Sequence, residues 1–231
     1  MGRLSYTIDD QIATIRLDDG KANALGPEML GEINEALDRT EKEAKALIIT
    51  GREDRFCAGF DLKVMMKGPE AARDLFVAGG RMMLRVYLLP MPVVIASTGH
   101  AVAGGALMLL VGDTRIGVRG DFKVGLNEVA IKMTLPVFAQ ELARSRLDPR
   151  RLTEAALQAR MYNPDEAVEV GYLDRTSDVS KLMKDAEAEA RRLAELPLQA
   201  YAATKTRLRR PTVKEIEATM EEDMAAMAEG R

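Results

Sequence analysis

Three short segments hold residue types able to do acid–base chemistry on a bound ligand. Phe56-Cys57-Ala58-Gly59-Phe60-Asp61-Leu62 and Gly99-His100-Ala101-Val102-Ala103-Gly104-Gly105 are small-residue turns, each between a buried, strand-like run and a helix-favouring one. Gly125-Leu126-Asn127-Glu128-Val129 sets a single carboxylate in apolar sequence. Side chains reduced to a methyl or a hydrogen at 58, 59, 103, 104 and 105 let a ligand approach the backbone closely. Two such turns can aim N–H groups at one oxygen and form an oxyanion hole. A carboxylate in apolar surroundings has its charged form disfavoured, which suits a proton shuttle. Taken singly, a glycine pair is ordinary turn chemistry and a lone glutamate caps a helix or joins an ion pair. The combination and order of the three segments point to a site. Neither glycine turn has the spacing of a dinucleotide or P-loop fingerprint, so neither is read as holding nucleotide phosphates.

Composition narrows the chemistry further. The 231 residues contain one histidine and one cysteine, Cys57. A zinc site of His and Cys ligands, or a redox pair of cysteines, therefore cannot form within one chain, and no metal is expected. The absence of any possible intrachain disulfide suits a reducing, cytoplasmic setting. A formal net charge of −3 supplies no basic field for gathering nucleic acid. The longest apolar run, Ala101 to Val111, is too short to span a bilayer and contains adjacent glycines. With 47% hydrophobic residues, the chain is expected to bury the core of a soluble globular protein.

The elements around the three segments read as α/β. Arg3–Ile8 and Gln11–Leu17 alternate apolar and polar residues about Asp9-Asp10, the pattern of a β-hairpin. Pro27 opens a helix in which Met29, Leu30, Ile33, Ala36 and Leu37 recur at helical spacing. Lys45–Thr50, Val93–Ser97 and Thr114–Val118 are short apolar runs suited to buried parallel strands. After Pro136 the pattern changes to charged amphipathic helices, expected over 150–160, 164–170, 179–196 and 211–228. The chain is thus expected to comprise an α/β core over 1–140 carrying the site and a helical region over 141–231. The stripe of Met220, Met224 and Met227 is expected to pack, in part against neighbouring subunits.

The ordered set of segments resembles the crotonase (enoyl-CoA hydratase/isomerase) family over Leu4 to Thr176. Lys21-Ala22-Asn23-Ala24-Leu25 looks like its early NAL loop, and Cys57 to Leu62 like its SAGxDL segment. Gly99 to Gly105 is similar to its NGxxxGGG segment, with Thr98 and Ala103 departing from the usual residues. Asp113 to Ile116 resembles its CDxRI strand start, and Glu166 to Asp174 its EALxxGLVD turn. The resemblance implies a spiral of repeated β-β-α units with a helical C-terminal region, assembled as a homotrimer or a dimer of trimers. It implies an acyl-CoA thioester as partner, coenzyme A entering only as part of the substrate, and no permanently bound cofactor. It places the oxyanion donors at the N–H groups of Phe60 and Gly104. It lays Ala22, Ala24, Ala58, Gly59, Asp61 and Leu62 along the pantetheine and adenine path, mainly through main-chain contacts.

The resemblance also bears on the reaction. Family hydratases use two glutamates, and the first falls here on Leu107. The second falls on Glu128, whose setting in Gly125-Leu126-Asn127-Glu128 resembles that of the Δ3,Δ2-enoyl-CoA isomerases, with Asn127 expected among the substrate-binding residues. One base that takes the C2 proton and returns it at C4 suffices for that reaction. Another crotonase reaction (hydration or hydrolysis) and a non-catalytic acyl-CoA-binding homologue remain alternatives. An RNA-binding homologue would have to use Lys205 with Arg207–Arg210. Lys132 stands where a small residue or glycine is expected, Phe60 is bulkier than usual, and His100 is expected to cap or pack.

Overall fold

The computed structural model describes the backbone of residues 2–228 and all of their side chains except those of 224, 225, 227 and 228. The chain opens with the expected hairpin, β1 (Leu4–Asp9) paired antiparallel with β2 (Ile12–Leu17). Its two-residue turn works because Asp10 and Gln11 both take positive φ, 46° and 63°, the combination a tight hairpin needs. Helix α1 (Pro27–Glu43) begins on its proline and buries Met29, Leu30, Ile33, Ala36 and Leu37. From there the chain repeats one unit. Strands β3 (Ala46–Thr50) and β4 (Asp54–Cys57) lead to helices α2 (Leu62–Met65) and α3 (Pro69–Leu88). Strands β5 (Val93–Ser97) and β6 (Gly99–Val102) lead to α4 (Gly104–Leu110). Strands β7 (Thr114–Val118) and β8 (Val124–Gly125) lead to α5 (Val137–Arg146).

The first strand of each unit joins a six-stranded sheet of order β1-β2-β3-β5-β7-β9, and the second joins a three-stranded sheet of order β4-β6-β8. Every pairing except β1–β2 is parallel. This is the α/β spiral of β-β-α units that the family resemblance implies. Strands β3 and β5 are buried along their whole length, as their continuous apolar sequences require of a sheet covered on both faces.

The helical region is less separate than the sequence suggests. After α6 (Pro164–Val170), strand β9 (Arg175–Ser177) pairs with β7 and extends the large sheet. Helix α7 (Leu182–Ala194) then lays Leu182, Ala186, Ala190 and Leu193 on Ile12, Ile48, Val94 and Ile116 of that sheet. Residues beyond 140 thus complete the core of the first 140, and the buried face of α7 packs within the chain.

The expected helix over 150–160 reduces to one π-helical turn, Thr153–Leu157. Ala159 takes a left-handed φ of 52°, turning the chain so that Tyr162 and Val124 exchange backbone hydrogen bonds of 2.9 Å. The helix expected from Pro211 is instead the second half of one helix, α8 (Leu198–Ala228), with the proline inside it. An interior proline costs a helix about 3 kcal/mol, and here burial on both sides offsets it. Lys205 and Arg209 are buried before it, and Val213, Ile216 and Met220 after it. The side chains of Met224 and Met227, the rest of the expected stripe, lie outside the described residues.

Lys205 and Arg209 converge on Asp113. The carboxylate accepts from Lys205 Nζ at 2.8 Å and pairs with Arg209 Nη2 at 2.6 Å. It also takes the Val93 N–H at 2.8 Å. Asp113→Ala would leave two buried cations without a counter-charge, a loss of about 3–5 kcal/mol. The expected outcome is a melting temperature lowered by roughly 10 °C in scanning calorimetry. A variant melting with the parent would show that this cluster does not anchor α8.

Candidate active site

Strands β4, β6 and β8 are neighbours and parallel, so the segments that follow them leave from one end of the small sheet. Those segments are Ala58–Asp61, Ala103–Gly104 and Leu126–Glu128. This topology brings the three sequence-predicted segments together. The strands extend further than the sequence suggests: Phe56 and Cys57 end β4, and Gly99 to Val102 form β6, leaving Ala103 as the turn. Gly99 permits this because a Cβ there would meet the Asp54 backbone, 2.7 Å from its Cα.

The two proposed donors face the same space for separate reasons. In the first turn, Gly59 C=O accepts from the Leu25 N–H at 2.8 Å, and the Asp61 N–H donates to Leu25 C=O at 3.2 Å. A trans peptide holds its C=O and N–H on opposite sides, so Phe60 N–H points away from the 22–25 segment. In the second turn, Ala103 C=O accepts from the N–H groups of Ala106 and Leu107, at 2.8 and 3.1 Å. Gly104 N–H therefore points out of the first turn of α4, where helix N–H groups lack intrahelical partners. Neither N–H has an acceptor among the described residues. The turns touch: a Cβ on Gly59, at φ 90°, would lie 2.9 Å from both Gly104 N and Ala103 Cβ. Ala103 itself sits at φ 53°, ψ −125°, a strained conformation of the kind that collects at functional sites.

Glu128 is only 8% exposed and is the one acidic residue buried in the core among the described residues. Its Oε2 has no hydrogen-bond partner. Burial pushes its carboxyl up to about 7, outweighing the lowering effect of hydrogen bonds from the backbone of Glu128 and Asn127. The residue starts the 3-10 turn Val129–Ile131, and its C=O accepts from the Ile131 and Met133 N–H groups at 3.1 and 2.9 Å. Asn127 is half-buried with an unpartnered Oδ1. Leu107, one turn into α4, is buried and apolar. Lys132 takes a left-handed φ of 65°, which accounts for the expectation of glycine there.

The remaining predicted residues lie along a ribbon made by 22–25 and 58–61. The Ala58 N–H donates to Ala22 C=O at 3.0 Å, and Leu25 bridges Phe60 in parallel. Ala58 and Leu62 are exposed, Ala22, Ala24 and Asp61 half-buried, and Gly59 buried. Asp61's carboxylate is used locally, capping α2 through the Lys63 N–H at 2.8 Å. His100 packs as expected: its Nδ1 accepts from the Lys123 N–H at 3.0 Å, and its ring stands edge-on to Phe122.

Sequence reasoning missed three buried polar residues. Asn23, within the quoted NAL loop, is buried, and its amide donates to Leu17, Arg55 and Phe56 C=O at 3.0–3.1 Å. It ties the two arms of the ribbon together, and its polarity inside an apolar run was the available signal. Tyr162 and Tyr172 are buried with unpartnered hydroxyls. Burial chiefly raises the Tyr172 pKa, with smaller raising effects from Tyr162 and then Glu128. Nothing in their spacing marks them.

Comparison with known proteins places this architecture. The enoyl-CoA hydratase/isomerase family model matches residues 7–229, so the chain belongs to that family. A Pseudomonas syringae member of the family superposes with a TM-score of 0.96 at 39% identity, covering 97% of this chain and 98% of the other. A probable enoyl-CoA hydratase of Bacillus subtilis (strain 168) is 29% identical, over 88% of this chain and 80% of the relative. The mitochondrial enoyl-CoA delta isomerase 1 of Rattus norvegicus is 26% identical, over 92% and 75%. The family acts on acyl-CoA thioesters, and these relatives carry names of both reactions.

The Glu128 pKa has a consequence for stability. Its carboxyl titrates near 7 in the folded chain against an ordinary 4.5. The folded state thus holds the proton more tightly, and stability falls as pH rises from about 4.5 to 7. Glu128→Gln removes this penalty. The variant should be more stable than the parent by about 2 kcal/mol at pH 8, the gap closing by about pH 4. Urea unfolding at both pH values checks it, and a gap independent of pH would contradict the buried, proton-binding carboxyl.

Proposed function

We propose that this chain is a Δ3,Δ2-enoyl-CoA isomerase, moving a 3-enoyl-CoA double bond to the 2-position. The observation that carries the reading is one buried carboxylate, Glu128, titrating near neutrality with apolar Leu107 where the family's hydratases carry the first of their two glutamates. Ala22, Ala24, Ala58, Gly59, Asp61 and Leu62 flank the coenzyme A moiety, and Asn127 stands beside the base. Ionised Glu128 takes a proton from C2. The freed electron pair moves onto the thioester oxygen as a dienolate, which the Phe60 and Gly104 N–H groups stabilise. Protonated Glu128 then returns the proton at C4, so no atom is gained or lost and water is not a reactant. The chain is proposed to work in the cytoplasm as a homotrimer or a dimer of trimers.

Hydration is the second reading, favoured by names such as that of the Bacillus subtilis relative. It requires a group to activate water opposite Glu128. Parallel assays with 3-enoyl-CoA and 2-enoyl-CoA separate the two. Isomerisation should exceed hydration by at least ~10²-fold, the typical worth of one acid/base group. The reverse ranking would make the chain a hydratase. Glu128→Gln should lower kcat by at least ~10³-fold, about 4 kcal/mol of barrier, with acyl-CoA affinity held within a few-fold. Because the base must be ionised, kcat/KM should rise with pH up to about 7 and then level. In solution, light scattering should give three chains or a multiple of three, and a monomer at micromolar concentration would refute the assembly.

A further inference from the structure

Helix α3 carries two adjacent glycines in its interior, Gly79 and Gly80, where alanine would favour the helix. Gly80 is explained by packing, since a Cβ there would lie 3.0 Å from Met220 Cε and 3.6 Å from the Phe138 ring. Gly79 has a different occupant. A Cβ on Gly79 would fall 2.7 Å from Phe60 Cζ and closer still to Cε1. The helix surface is therefore a socket, and the Phe60 ring fills it. That ring stands edge-on to Phe76, centroids 5.0 Å apart and planes at 84°. Its opposite edge lies 3.2 Å from where a Cβ on Gly104 would be.

The Phe60 ring thus sits between α3 and the first turn of α4, while its own N–H and that of Gly104 are the two donors. The hydrogen bond from Leu25 to Gly59 C=O decides which way the 59–60 peptide faces. It does not decide how far that peptide stands from Gly104. We propose that the Phe60 ring, seated in the Gly79 socket, is a latch that sets the spacing of the two oxyanion donors, with Gly79 as the positioning residue. The proposal rests on the reading of those N–H groups as the thioester's donors. A displacement of about 1 Å in such a pair is costly because the donors must meet the oxygen in its charged state.

A double-mutant cycle tests it. Gly79→Ala fills the socket and should lower kcat roughly 10- to 100-fold, somewhat less than loss of one whole donor, with KM within a few-fold. Phe60→Ala removes the latch and should lower kcat similarly. In the Phe60→Ala background, Gly79→Ala should cost no further activity and should raise the melting temperature, since alanine then fits an empty site and favours the helix. Infrared spectroscopy of bound hexanoyl-CoA, isotope-labelled at the thioester carbonyl, supplies a readout independent of turnover. The carbonyl stretch should shift down on binding to the parent, and the shift should shrink in Gly79→Ala. Losses that add in the double variant, or a Gly79→Ala protein with the parent's kcat and carbonyl shift, would overturn the latch. A parent that binds without a carbonyl shift would overturn it too. If the parent shifts the carbonyl, Gly79→Ala does not, and 3-enoyl-CoA is left unchanged, the latch stands and the isomerase reading falls.

Discussion

Two backbone turns come so close that a single Cβ at Gly59 would drive them apart, and the site depends on that contact. Parallel neighbours β4 and β6 bring the turns to one end of a sheet with strands roughly 4.8 Å apart. For two N–H groups to reach one oxygen, the turns must close further than ordinary side chains allow. Gly59 is absent of side chain for this reason. Gly105 is too, because its Cβ would collide with the Cys57 backbone at the end of β4. Ala103 accepts a strained conformation because the bonds of its C=O into α4 and of its N–H to Gly125 C=O fix it from both sides.

The same exclusion of water serves the carboxylate and the amides in opposite ways. Burial disfavours the ionised form of Glu128 and brings it to a range where it gives and takes a proton with equal ease. In the proposed reaction, substrate that excludes solvent would strengthen the N–H dipoles of Phe60 and Gly104, because less water screens the charge they would face. A carboxylate in place of buried Leu107 would add a second charge needing solvation within α4. The apolar sequence around Glu128 therefore sets its proton affinity, and its Oε2 has no partner, as the proposed role of base requires.

Most of the candidate site's geometry was legible in the sequence because it is built from main-chain turns. Removing side chains leaves a visible mark, and Ala58-Gly59 and Gly104-Gly105 carry it. The strand runs were legible from continuous apolar residues, and α1 from its 3.6-residue period. What sequence did not reveal depended on distant partners. Gly99 to Val102 reads as a turn by composition, yet its neighbours β4 and β8 make it a strand. Pro211 reads as a helix start, yet buried anchors on either side carry α8 through it. Arg150 to Arg160 has helical character, but Tyr162 must return to β8. The Phe60–Gly79 contact joins residues nineteen apart, on a loop and a helix interior, and neither local pattern implies the other.

The C-terminal helix acts on the site from behind. Lys205 and Arg207–Arg210 read in sequence as a short basic run, yet Lys205 and Arg209 point inward. Arg209 reaches the Tyr87 C=O near the end of α3, and the Val111 and Gly112 C=O groups past the end of α4, the latter two at 3.5 and 3.4 Å. Arg146 adds a bond of 2.9 Å to Leu110 C=O and a second to Gly112 C=O. Cations thus satisfy the C-terminal carbonyls of the helix whose N-terminal turn presents the Gly104 N–H, the favourable sense of the helix dipole. With those ends of α3 and α4 held, the Phe60 ring between Gly79 and Gly104 is the contact proposed to set the spacing of the donors.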